Sequence, residues 1–303
     1  MNKSQGTKPA ALTHSTWTIF SSPSTISFFR DTIVAKQSCR RSKKGTGIYP
    51  ISTCSLWDFR EAVGDNRLFC LLLTYSMTGC GWVMEMVWLI LQGGDISKAK
   101  VSDVKSKYSR LEHDDLSFSR TTGLKPRIVI SHLPFDLLQN ILGRCKRVIF
   151  VQRDPRDCLL SMFHYYKQNP KLGQFKGSWS DYFDLYKERK LIYGNYCDWI
   201  KPWMETKIDK MQIFEFERLV RNRFGHIRNM TKFILDKHID DKMMDICQWI
   251  HIDNMKGTSK KPDFSLDPIL LDPEITDFLR EGHYNQWEGL MNKHEMDFIV
   301  FHA

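Results

Sequence analysis

"LLLTYSMTGCGWVMEM", residues 71–86, runs from one apolar stretch through a tight loop into a second of different period. The unbroken apolar run from Leu68 to Thr74 has the length of a strand and no polar alternation, as a strand buried on both faces requires. Residues 82–92 read as a helix closed by Gly93–Gly94. Between them lies Gly79, where a backbone without Cβ can approach a bound anion closely. Strand, glycine-bearing loop and helix in that order make a phosphate cradle, because N–H groups at a helix start point toward the loop. Phosphate loops commonly carry a lysine; this one has Met77 and no basic residue at all.

The flanking sequence repeats the strand–helix alternation. "RIVIS" (127–131), "KRVIFVQ" (146–152) and "MQIFEF" (211–216) have strand length and strand composition. Pro134 opens an apolar-periodic helix to Leu142. Residues 154–168 begin with Asp154 as N-cap and Pro155 at the first helical position, a strong start signal. Further helices fill 222–236 and 240–250. The alternation implies an α/β fold: a P-loop-like parallel sheet flanked by helices on both faces. Ligands of such sheets sit at the carboxyl ends of the strands. Three strand ends deliver the opening loop, His132 and Arg153. Taken alone, His132 is either a satisfied structural histidine or a general base, since its ring titrates near neutral pH. Arg153 and Ser161 can reach one anion at the following helix start; alternatively, Arg153 pairs with Asp154 or Asp157.

Length and composition bound the rest. The 303 residues suit one large domain or two small ones, and 42% hydrophobic content supplies a sizeable core. Seven of the nine net positive charges fall in residues 1–50, a Ser/Thr-rich basic extension read as poorly ordered, ahead of a single domain over 51–303. The basic balance therefore describes a tail rather than a nucleic-acid-binding face. Eight cysteines without a CxxC pair read as reduced thiols of a cytoplasmic protein, not as a zinc site. No apolar run reaches the roughly 18 residues of a membrane span.

"VIFVQRDPRDCLLSMFHYY" (148–166) resembles the strand–helix unit of the cytosolic sulfotransferases, with its R-[ND]-P-[KR]-D…S pattern. "SHLPFDLL" is similar to that family's K-T-H-L-P segment, and "ILQGGD" (90–95) and "YGNYCDWIKPW" (193–203) also look familial. The resemblance runs from about Trp57 to Trp287. It implies transfer of a sulfonate from 3′-phosphoadenosine-5′-phosphosulfate (PAPS) to a hydroxyl or amine of a small-molecule acceptor (a phenol, alcohol or amine), without a metal. His132 would be the catalytic base. Arg153, Ser161, Arg280 and Gly282 would hold the 3′-phosphate. The loop residues Thr78, Gly79, Cys80 and Gly81 would take the 5′-phosphosulfate, and Trp82, Phe216 and Met255 would frame the adenine. Phe135, Phe163, Tyr165 and Trp179 are acceptor-pocket candidates and equally core candidates.

The departures from the family pattern cluster in the same machinery. Met77 stands where the family has the loop lysine, Cys80 and Gly81 where it has two threonines, and Ile130 where it has a lysine two residues before the histidine. Glu281 reverses the charge of the middle residue of the R-K-G triplet. The family's dimer motif has no counterpart after Trp287, which leaves the oligomeric state open. Loss of one preorganised donor to developing charge typically costs about 10²–10³ in rate, whereas each retained contact to phosphate contributes about 1.5–3 kcal/mol. Three readings follow: a working sulfotransferase, a pseudoenzyme that binds the nucleotide without efficient transfer, and another nucleotide-dependent transferase. The missing GxxxxGK[ST] pattern weighs against the third.

Overall fold

The strand Leu68–Thr74 (β1) occupies the middle of a five-stranded parallel sheet, and its sequence explains why. Residues 70–73 are each 0% exposed, so every side chain must meet an apolar layer whichever face it points to. The other strands are β2 (Ser109–Arg110), β3 (Ile128–Ser131), β4 (Cys145–Gln152) and β5 (Met211–Glu215), in the order β2-β3-β1-β4-β5. The register pairs Leu73 with Ser131 and Thr74 with Val151, which brings the carboxyl ends of β3, β1 and β4 to one edge. The chain is described by a computed structural model over residues 40–41, 48–49, 68–101, 107–111, 128–168, 174–251, 253–254 and 284–301.

Helices follow in chain order. They are α1 (Cys80–Leu91), α2 (Ile96–Val101), α3 (Phe135–Leu142), α4 (Pro155–Gln168) and α5 (Trp179–Lys187). After them come α6 (Tyr196–Glu205), α7 (Phe216–Arg221), α8 (Arg223–Leu235), α9 (Met243–Trp249) and α10 (Lys293–Phe301). Because side chains alternate along a strand, Leu71, Leu73, Val148 and Phe150 face one layer, formed with α3, α4, α5, α6 and α10. Cys70, Leu72, Ile149 and Val151 face the other, formed with α1, α2, α7, α8 and α9. The expected sheet, flanked on both faces by helices, is the fold observed.

Several boundaries differ from the sequence reading. α1 begins at Cys80 rather than Trp82, because Gly79 takes φ 85° and turns the chain into the helix earlier. Phe216, read as the last residue of a strand, is the first residue of α7: pairing with β4 stops at Gln152–Glu215, and the chain bends there. β2, α2, α5, α6 and α10 were not read. A capping box at Ser178 and Asp181 was the available signal for α5. Within the basic extension, Arg40–Arg41 pairs antiparallel with Ile48–Tyr49; the rest of 1–50, and its boundary with the domain, lie outside the described residues. Among the described residues no helix is long and apolar enough to cross a membrane, and no group of His, Cys, Asp or Glu could hold a metal ion.

Candidate nucleotide site

The loop after β1 is shaped by two left-handed residues, Met77 at φ 64° and Gly79 at φ 85°. The first is unusual for a residue with a Cβ and costs on the order of 1–2 kcal/mol. Thr78, fully buried, donates its hydroxyl to the Tyr75 carbonyl at 3.0 Å and closes the turn. Its side chain therefore shapes the loop. The first helical bond of α1 runs from Val83 N–H to the Gly79 carbonyl at 3.1 Å, so the N–H groups of Cys80, Gly81 and Trp82 lie at the positive end of the helix. No carboxylate occupies its first turn. Such an end favours an anion. The Met77 side chain is partly buried against the apolar layer of α3–α6.

His132 follows β3 and is 5% exposed. Its Nδ1 lies 2.8 Å from the Thr74 carbonyl and 3.3 Å from the Thr74 hydroxyl. A carbonyl can only accept, so the neutral ring carries its proton on Nδ1, and Nε2 becomes the basic nitrogen. Tyr193 packs edge-on at 5.3 Å, and the His132 carbonyl accepts the Trp199 indole N–H at 2.9 Å. Thr74 and Tyr193 thus orient the ring, and Trp199 fixes the backbone that carries it.

Arg153, at the end of β4, donates Nη1–H to the Met77 carbonyl at 2.9 Å and to the Ser161 hydroxyl at 3.4 Å. Its guanidinium lies 4.5 Å from the centre of the Phe216 ring, a cation–π contact. The two neighbouring carboxylates are engaged elsewhere: Asp154 with Arg156, and Asp157 with the backbone N–H groups of Asn285 and Gln286. Phe216 also packs on the loop itself; a Cβ on Gly79 would lie 2.8 Å from its Cε2. Trp82 meets Phe216 edge-on at 5.5 Å and donates its indole N–H to the Ile250 carbonyl at 2.8 Å. His132 and Arg153 therefore bind carbonyls three residues apart in one loop, with Ser161, Phe216 and Trp82 around it. Met255, Arg280, Glu281 and Gly282 lie outside the described residues.

The sequence reading missed several residues of this edge. Thr74 sets the histidine tautomer. Tyr196 accepts the Arg153 backbone N–H at 3.4 Å and packs edge-on against Tyr75 at 5.1 Å. Glu217 accepts the Asp154 N–H at 2.9 Å, and burial pushes its carboxyl above the usual range. Thr74 and Tyr196 lie in stretches quoted from the sequence and Glu217 directly follows one, but nothing in their spacing gives them a task. The acceptor-pocket candidates Phe163 and Trp179 pack on each other at 5.4 Å and on Tyr182, while Phe135 packs on Trp203 at 5.0 Å.

The family model described as "Sulfotransferase domain" matches residues 70–300. The chain belongs to the sulfotransferase family. Among curated sulfotransferases, human Sulfotransferase 1C2 is 27% identical over 268 residues, covering 84% of this chain and 88% of the relative. Among solved structures, mouse sulfotransferase SULT7A1 complexed with PAP, the desulfonated nucleotide, superposes with a TM-score of 0.66 at 20% identity, covering 87% of this chain and 93% of the other. Retinol dehydratase, in a complex with retinol and PAP, gives 0.67 at 19% identity, covering 86% and 87%. At those identities the superpositions establish the fold. The sulfotransferase assignment agrees with the sequence resemblance and supports sulfonate transfer in general.

Proposed function

We propose that this chain is a PAPS-dependent sulfotransferase acting on a hydroxyl or amine of a small molecule, with His132 as the general base. The observation that carries the reading is the meeting of His132 and Arg153 on one loop, through the Thr74 and Met77 carbonyls. The residues present suit the nucleotide. The Gly79 backbone lies so close to Phe216 that only glycine fits, a carboxylate-free helix start faces the loop, and Arg153 and Ser161 form a donor pair for phosphate. Two solved structures that share this fold, mouse sulfotransferase SULT7A1 and retinol dehydratase, are complexes with PAP.

PAPS, when bound, supplies the sulfonate. The Gly79–Trp82 backbone holds its 5′-phosphosulfate, Arg153 and Ser161 its 3′-phosphate, and Trp82 and Phe216 its adenine, with Met255, Arg280 and Gly282 assigned to the same contacts by resemblance. The Thr74 carbonyl keeps the His132 proton on Nδ1, so Nε2 takes the proton of the acceptor hydroxyl or amine as the acceptor becomes a nucleophile. The cytoplasm, where such nucleotides and small acceptors meet, is the proposed location.

A second reading is favoured by Met77, whose apolar side chain brings no cation to the loop. On it the chain binds the nucleotide and turns over poorly. Calorimetry with PAP, followed by a PAPS transfer assay over phenols, alcohols and amines, decides. Binding with transfer supports the enzyme, and binding without transfer supports the pseudoenzyme. Absence of binding removes both.

A further inference from the structure

The turn at residues 284–287 is held by two helices that also frame Arg153. Asp157, 1% exposed in the first turn of α4, accepts the Asn285 N–H at 2.7 Å on Oδ2 and the Gln286 N–H at 2.9 Å on Oδ1. Asn285 takes φ 62°, which presents both N–H groups to one carboxylate. Beside it, the Arg156 guanidinium, paired with Asp154, lies 3.7 Å from the centre of the Trp287 ring. From the other side, Arg221 of α7 donates to the Tyr284 hydroxyl at 3.1 Å and stacks on its ring at 4.8 Å.

Of these helices, α4 carries Ser161, a candidate 3′-phosphate contact, and α7 carries Phe216, a candidate adenine contact. Asp157 and Ser161 are four residues apart on α4, hence on one face, one turn from each other. α7 begins with Phe216, whose ring lies under the Arg153 guanidinium. In the chain, Arg280 precedes Asn285 by only five residues. Burying a carboxylate is costly unless its oxygens are satisfied, and here both are spent on backbone N–H groups of one turn.

We propose that Asp157 is a positioning residue for recognition of the nucleotide's 3′-phosphate, acting through the 284–287 turn that it docks against the N-terminal half of α4, next to Arg153 and Ser161. This rests on the nucleotide reading above. Adenosine 5′-monophosphate lacks the 3′-phosphate and PAP carries it, so the ratio of the two affinities isolates that contact. In Asp157→Asn, one N–H of the turn faces an amide NH2 instead of an oxygen. The variant should lose about tenfold or more in PAP affinity by calorimetry, with the adenosine 5′-monophosphate affinity nearly unchanged. Equal loss for both nucleotides, or loss for neither, overturns the proposal. If the unmutated chain binds neither nucleotide, the nucleotide reading fails and the proposal falls with it. Hydrogen exchange on the unmutated chain decides even if Asp157→Asn does not fold. PAP, and not adenosine 5′-monophosphate, should slow exchange at Asn285 and Gln286, and equal slowing by both overturns the proposal.

Discussion

His132 and Glu217 show how far one side chain's chemistry depends on a single contact. With the Thr74 carbonyl on Nδ1, His132 presents a basic Nε2, and its removal should strike turnover rather than nucleotide binding. His132→Ala is expected to lower the transfer rate by about 10²–10⁴-fold while leaving PAP affinity unchanged by calorimetry. Glu217 gives a pH-dependent prediction. Burial raises its carboxyl, outweighing the Asp154 N–H and the Arg153 charge, which both lower it. A raised carboxyl contributes stability at acid pH, where it is protonated, and that contribution is lost as pH rises through its folded-state value. Glu217→Gln keeps an acceptor for Asp154 and has no charge to bury. Its melting temperature should therefore exceed that of the parent at neutral pH, with the gain shrinking toward about pH 4.

At the scale of elements, the junction of β1, the loop and α1 carries the site, and Gly79 is its hinge point. A Cβ there would meet Phe216 Cε2 at 2.8 Å and Cδ2 at 2.9 Å, on a backbone at φ 85° that L side chains avoid. Gly79→Ala should cost about 1–2 kcal/mol from the backbone alone, read as a lowered midpoint in denaturant. PAP affinity should fall as well, because the displaced ring is the one under Arg153. The strands of this unit were legible in the sequence because burial on both faces leaves an uninterrupted apolar run, as in β1, β3 and β4. α5, α6 and α10 were not: their aromatic and polar residues mix, and their apolar faces become evident only against the layer they cover.

Across the whole molecule, the layer of α1, α2, α8 and α9 contains a buried ion pair. Lys107 Nζ lies 2.8 Å from Glu85 Oε1, both side chains 4% exposed. The same carboxylate accepts the Trp249 indole N–H at 2.9 Å, and the ammonium lies 4.8 Å from the Trp88 ring. The pair ties α1 to α9 and to the segment before β2. Lys107→Met should cost about 3–5 kcal/mol, because it strands a buried carboxylate. Adding Glu85→Gln removes that charge, keeps an acceptor for Trp249, and should recover most of the loss in a denaturation series. Nothing in the sequence joins Glu85 to Lys107; 22 residues separate them, and only folding makes them neighbours.

The sequence by itself determined β1, β3, β4 and most of β5, the glycine loop and the capped α4. Those features follow from local rules: apolar period, N-cap chemistry, and the freedom of a residue without Cβ. It also placed the loop, His132 and Arg153, with Ser161 on the following helix, at one crevice, since parallel strands must end at one edge; Phe216 and Trp82, like the family, came from motif resemblance. Only the tertiary structure decided what each group faces. The histidine tautomer depends on a carbonyl 58 residues away. Arg153 is turned to the Met77 carbonyl rather than to Asp154, and Asp157 grips a turn 128 residues further along the chain. Hydrogen bonds of that kind depend on distances between distant segments, which are fixed by how the two apolar layers pack on the sheet rather than by any local pattern.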